Sequence, residues 1–259
     1  MNNISIIGLP YDEKSTYLQG AAEAPPLIRQ WLRSGVSNSF TEAGLNIDVD
    51  FVEDRGDFDI ADYFDIEKLL LKELALDRRV LCWGGDHSVS YPILRAYSKF
   101  FTDLNVLVID AHPDLYDKFE GDPYSHACPF ARVMDEKLVA RLVEVGIRSI
   151  NPHQRNQAKK YGVEIIEMKD YKISKIPEIE GPLYLSIDMD GVDPAYAPGV
   201  SHQEAGGLSS REVIRIIQNI KAPLIGADIV EYNPQMDVNG ITCALAGKLT
   251  QEVLAKMLG

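Results

Sequence analysis

Several short stretches of this chain carry metal-binding residue types at a spacing that would gather them. Asp110-Ala111-His112-Pro113-Asp114 follows an apolar run, and in extended backbone the period of two puts Asp110, His112 and Asp114 on one side. Asp188-Met189-Asp190 repeats that spacing after another apolar run, and the turn Gly191-Val192-Asp193-Pro194 can add a carboxylate. Gly84-Gly85-Asp86-His87-Ser88 allows a sharp backbone path that could bring His87 to the same place. Ala227-Asp228-Ile229-Val230-Glu231 offers a further acid, with Glu231 the one expected to face the site.

Any one of these clusters alone has a structural reading, because an Asp after a strand commonly caps a helix or closes a turn. Asp86 and Asp193 read equally well in that way. Taken together, several carboxylates at one edge repel one another unless cations neutralise them. Mixed carboxylate and imidazole ligation suits a hard or borderline ion such as manganese, and Cys82, Cys128 and Cys243 have no thiolate-site spacing. Six ligands, His87, Asp110, His112, Asp114, Asp188 and Asp190, suit two ions rather than one. Such a pair, about 3.5–4 Å apart, lowers the pKa of a shared water until a hydroxide nucleophile exists near neutral pH. That chemistry needs a proton shuttle, for which His126 in Tyr124-Ser125-His126-Ala127-Cys128 is the candidate, a solvated loop histidine being the alternative. His202, in Gly199-Val200-Ser201-His202-Gln203-Glu204, could border a substrate or simply sit in a solvated loop. His153 opens a polar helix and reads as surface.

The elements that must position these residues are legible as an alternation. Strand-length apolar runs recur at Ile4–Gly8, Ile47–Val52, Val80–Trp83, Val106–Ile109, Leu142–Gly146, Val163–Ile166, Leu183–Ile187 and Leu224–Gly226. Several are continuous and β-branched, as in parallel strands buried on both faces. Between them, helical spacing or helix-start signals mark Pro26–Ser34, Ile66–Leu76, Ser90–Lys99, Phe130–Ala140, Pro152–Tyr161, Ser209–Ile220 and Gly240–Leu258. The expectation is a three-layer α/β/α domain spanning residues 1–259, with a mostly parallel sheet of about eight strands. Polar clusters at strand ends then line the crevice at the carboxyl edge of the sheet.

Composition narrows the function classes. An apolar fraction of 46% and a charged fraction of 25% are ordinary for a water-soluble globular chain. No apolar run reaches the roughly 20 residues of a membrane-spanning helix, and no signal-peptide pattern is present, so the expected address is the cytoplasm. Three scattered cysteines fit a reducing compartment. A formal charge of −13 argues against a nucleic-acid partner.

The ordered motifs Gly84–Ser88, Asp110–Asp114 and Ser186–Pro194 resemble those of the arginase/agmatinase (ureohydrolase) family, and Gly8–Asp12 and Glu231–Pro234 extend the resemblance over nearly the whole chain. It implies an arginase-like fold, two Mn2+ ions, and hydrolysis of a guanidino compound to urea and an amine. One ion would be held by His87, Asp110, Asp114 and Asp188, the other by Asp110, His112, Asp188 and Asp190, with Asp110 and Asp188 bridging. Glu231 would pair with the substrate nitrogens, Asp114 would also hold the nucleophile, and His126 would protonate the leaving amine. Substrate contacts are expected from Glu231, His126, Tyr116 and His202. Leu115-Tyr116-Asp117-Lys118 lacks the short polar pattern that arginases use for the amino-acid head, so agmatine, yielding putrescine, is the expected substrate, with arginase or guanidinobutyrase activity as the alternative. The Tyr11–Ser15 and Ser201–Glu204 segments differ from the commonest agmatinase versions. A homo-oligomer, trimer or hexamer, is implied as well. Two other readings stand beside this one: a thiol route through Cys128, two residues from His126, and a non-catalytic protein that keeps the fold, against which the intact ligand set speaks.

Overall fold

The computed structural model describes residues 3–259. Eight strands form one sheet: β1 (Asn3–Gly8), β2 (Val52–Asp57), β3 (Arg78–Trp83), β4 (Asn105–Ile109), β5 (Arg141–Ile147), β6 (Glu164–Glu167), β7 (Leu183–Asp188) and β8 (Leu224–Val230). Their order is β2-β1-β3-β8-β7-β4-β5-β6, and every pairing is parallel. Alternate side chains feed two separate cores. Leu81, Trp83, Leu107 and Ile109 pack on one face with residues of α1 (Ala24–Arg33), α6 (Ser210–Asn219) and α7 (Ile241–Leu258). Val80, Cys82, Val106 and Val108 pack on the other with α2 (Asp65–Leu74), α3 (Ser90–Tyr97), α4 (Pro129–Asp135) and α5 (Pro152–Tyr161). The result is the expected three layers, and central strands buried on both faces explain why their sequences read as unbroken apolar runs.

Helix ends follow local chemistry. Asn151 and Gln154 form a capping box on α5, which stops at Gly162 in the left-handed conformation, and Ser209 with Glu212 does the same for the start of α6. The strand expected at Ile47–Val52 is displaced: β2 begins at Val52 and runs through Glu-Asp-Arg-Gly-Asp. It is an edge strand in which only Val52 packs against the core, and the charged side chains that follow are balanced by ion pairs. Asp54 and Asp57 meet Arg29, and Glu53 meets Arg78. Charged edges of this kind discourage pairing with other chains, and they hide the strand from a hydrophobicity search.

Topology, more than any single element, builds the site. The strands that carry the chemical clusters at their carboxyl ends, β3, β8, β7 and β4, are consecutive neighbours at the centre of the sheet. Two glycines permit the close approach. A Cβ on Gly85 would lie 2.0 Å from the Tyr11 carbonyl oxygen, and one on Gly191 would lie 2.8 Å from the Asp110 nitrogen.

Candidate metal centre and catalytic cavity

His87 leaves β3 in the 3-10 turn His87–Val89, which Asp86 caps by accepting from the Ser88 N–H. Its ring is fully buried, and Nδ1 lies 3.1 Å from each of three carboxylate oxygens, on Asp110, Asp114 and Asp188. Neither Nδ1 nor Asp110 Oδ2 makes an aligned hydrogen bond. Three carboxylate oxygens thus converge on one imidazole nitrogen, and two of the four atoms are buried without an aligned partner, as a cation cradle would leave them. Behind the ring, Nε2 lies 2.9 Å from Ser186 Oγ, which donates to Asp228 Oδ1 at 2.6 Å. Asp228 is thus a buried support that also accepts from Ser90 and Tyr184.

A second set adjoins the first. Asp110, His112 and Asp190 offer ligand atoms within 4.8 Å of one another, as do His87, Asp110 and Asp114. Asp110 belongs to both groups, as a bridging carboxylate must. His112 points Nδ1 at Asp190 Oδ2, 3.0 Å away. Asp188 accepts the Asp190 N–H through Oδ1, 2.7 Å away, while its Oδ2 faces His87, so it too stands between the groups.

The electrostatics show how poorly this cluster stands without counter-charge. Burial, then repulsion from Asp114 and Asp190, pushes the Asp110 carboxyl up to about 6. Burial, then Asp190 and Asp110, pushes Asp188 well above the carboxylate range. Burial also raises Asp190, but the charge of His112 outweighs it and holds that group below the range. Opposite shifts among touching acids mean that they cannot all ionise unless positive charge is supplied. The donor set, oxygen-rich with one imidazole per group, fits two divalent cations.

Beside the ligands, Glu231 ends β8 with φ 61°, and Asp114 has φ 48°. Left-handed backbone is costly for both residues and is held here by surrounding contacts. The Glu231 N–H donates to the Gly85 carbonyl, and Oε1 accepts from the His87 N–H, both closely. The same oxygen lies 2.9 Å from His126 Nδ1, and His126 Nε2 lies 2.9 Å from Thr16 Oγ1. Burial pulls the His126 imidazole down, but the hydrogen bond and charge of Glu231 more than offset it, lifting the group to about 9.

A cavity of about 160 Å³ opens over these groups, lined by His112, Asp114, Tyr116, His126, Asp188, Asp190, His202 and Glu231 among others. All ten residues singled out from the sequence are therefore gathered around one centre, with His87 and Asp110 beneath the cavity floor. The Tyr116 phenol accepts from the Asn151 amide, 2.5 Å away, which fastens its ring to the start of α5. His202 sits at the mouth, its ring 5.3 Å from that of His126 and 6.0 Å from that of His112. Asp86 is a cap and loop anchor that accepts from the Lys14 N–H, and Asp193 accepts from the Ala195, Gly206 and Gly207 N–H groups. His153 is largely exposed and stacks on Tyr116. Burial lifts the Cys128 thiol to about 12, far from a reactive thiolate.

Thr16, Ser149, Gln154 and Arg148 also belong to the site, though none sits in a metal-ligand pattern of the sequence. The first three line the cavity. Arg148 donates to the carbonyls of Asp190, Gly191 and Glu204, tying two loops of the site together. Ser186 and Glu204 lay inside the quoted motifs, so position in a motif could have flagged them. Thr16, from a distant segment, carried no local signal.

Comparison with known proteins agrees with this geometry. Arginase 1, mitochondrial, of Arabidopsis thaliana is 44% identical over 98% of this chain and 80% of its own length. The agmatinase of Bacillus cereus is 33% identical over 98% of this chain and 91% of its own. The solved arginase from Medicago truncatula superposes with a TM-score of 0.91 at 42% identity, covering 98% of this chain and 87% of that one. The family profile described as the arginase family matches residues 2–255. With its parallel sheet, its clustered ligands and a match along almost its entire length, the chain belongs to the arginase family.

Proposed function

We propose that this protein hydrolyses the guanidino group of an alkylguanidine, releasing urea and an amine, with two Mn2+ ions held by His87, Asp110, His112, Asp114, Asp188 and Asp190. The observation that carries the reading is the juxtaposition of the two ligand groups with the buried His126–Glu231 pair in one cavity. When bound, the ions supply a hydroxide nucleophile near neutral pH and charge balance for the acids. The rest of the work falls to the chain. Glu231, kept ionised by His126 against the cost of its burial, presents a planar carboxylate suited to the planar guanidinium. His126 holds a proton against Glu231 up to about pH 9 and can pass one to the departing amine. Tyr116 and His202 line the cavity and are the residues proposed to select the substrate tail.

L-arginine is the first candidate substrate, because relatives 44% identical over 98% of this chain are arginases. Agmatine, the expectation from sequence, is the second reading, favoured by agmatinase relatives at 33% identity and by the Leu115–Lys118 segment. The test is urea release from arginine, agmatine, guanidinobutyrate, guanidinopropionate and guanidine by manganese-loaded protein, with a chelated control. A kcat/KM for arginine at least tenfold above that for agmatine supports the first reading, and the reverse order supports the second. No urea from any of the five overturns both.

A further inference from the structure

The two metal-facing histidines are supported in different ways. A neutral imidazole has one lone pair and one N–H, so a ring that offers Nδ1 to a cation must carry its hydrogen on Nε2. An acceptor opposite Nε2 fixes that tautomer and the ring's orientation, and raises its basicity as a ligand. For His87 the acceptor is Ser186 Oγ, backed by Asp228 in the buried interior. For His112 the facing group is Glu204, whose Oε1 stands 3.6 Å from Nε2. That separation is slightly too long for a direct hydrogen bond and closes with a small side-chain rotation.

The placement of Glu204 is built rather than incidental. Its carbonyl accepts from Arg148 Nε at 3.2 Å and Nη2 at 2.6 Å, and the same Nη2 donates to the Asp190 carbonyl, 2.7 Å away. One guanidinium thus fastens the backbone of Glu204 to that of a ligand of the same centre. Two residues on, Asp193 accepts from the Gly206 and Gly207 N–H groups and pins the other end of the loop. The Glu204 side chain is more than a third exposed, unlike the buried Ser186–Asp228 support behind His87.

We propose that Glu204 is a positioning residue, the carboxylate that orients His112 toward the second cation and so sets the affinity of that half of the centre. This rests on the binuclear reading under Proposed function. A competing role is contact with the cationic end of the substrate, since Glu204 also borders the outer groove with Tyr17, His202 and Met236.

The two roles separate in one experiment. Metal-free wild type, Glu204→Ala and Glu204→Gln are titrated with Mn2+ by calorimetry, and the spin-coupled manganese signal is followed by electron paramagnetic resonance. The expected result is two ions in wild type and a 10–100-fold weaker second ion in Glu204→Ala. Glu204→Gln should fall between them, because its amide oxygen still accepts from Nε2–H. Unfolding midpoints of the metal-free proteins should match, since the Arg148 contacts are to backbone. Wild-type affinity for both ions in Glu204→Ala overturns the proposal alone, and a raised KM with unchanged kcat then marks a substrate contact. A wild type that binds only one ion overturns this proposal together with the binuclear reading.

Discussion

Replacing Glu231 by Gln should move the titration of His126 and, with it, the pH dependence of stability in the metal-free protein. The pair is 2.9 Å apart, with 11% and 5% of the two side chains exposed, so solvent screens it little. Raising the imidazole from its ordinary 6.5 to about 9 corresponds to about 3 kcal/mol of interaction favouring the charged form. The lowered Glu231 carboxyl reports the same contact from the other side and is not counted again. Because the folded-state value is raised, this stabilisation is complete below about pH 6.5 and is lost as pH rises through about 9. Gln keeps an oxygen for the His87 N–H but carries no charge. Wild type should therefore exceed Glu231→Gln by about 3 kcal/mol at pH 6, and the gap should close or reverse near pH 10, where wild type buries an unpaired carboxylate. Urea unfolding of both metal-free proteins from pH 6 to 10 measures the gap, and side-chain NMR of the five histidines locates the titration. A gap that does not change with pH, or a wild-type His126 that titrates near 6.5, refutes the reasoning.

Asp188→Asn should stabilise the metal-free protein at pH 8, by about 1–2 kcal/mol, because it removes a buried carboxyl raised by burial and by Asp190 and Asp110. On the proposed binuclear reading, Mn2+ at a hundredfold excess over Kd should stabilise wild type by about 2.7 kcal/mol per site, and the same variant should lose that gain; thermal unfolding with and without Mn2+ checks both halves. Gly85→Ala places a Cβ 2.0 Å from the Tyr11 carbonyl oxygen, so unfolding should reveal a loss of about 3 kcal/mol, with weakened Mn2+ binding as the His87 turn shifts.

The candidate ligands are legible in the sequence because their signal is local. Asp110, His112 and Asp114 follow one strand at a period of two, and so do Asp188 and Asp190, with chemistry that no apolar core would use. The alternation of strands and helices was local too, since each central strand is buried on both faces and reads as an apolar run. Where burial fails as a signal, at the acidic edge strand Val52–Asp57, the reading slipped by a strand's length.

Tertiary structure decided everything that depends on strands meeting. Nothing in the sequence order of β3, β4, β7 and β8 says that they lie as β3-β8-β7-β4, yet that adjacency turns four clusters into one centre. Thr16 beside His126, the Ser186–Asp228 support and the Arg148 clamp on Glu204 all join residues far apart in the chain. Sequence alone determined which atoms could bind a metal, because side-chain chemistry and strand alternation are written residue by residue. Distance, burial and the balance of charge among those atoms are collective properties of the folded chain, and only the fold could set them.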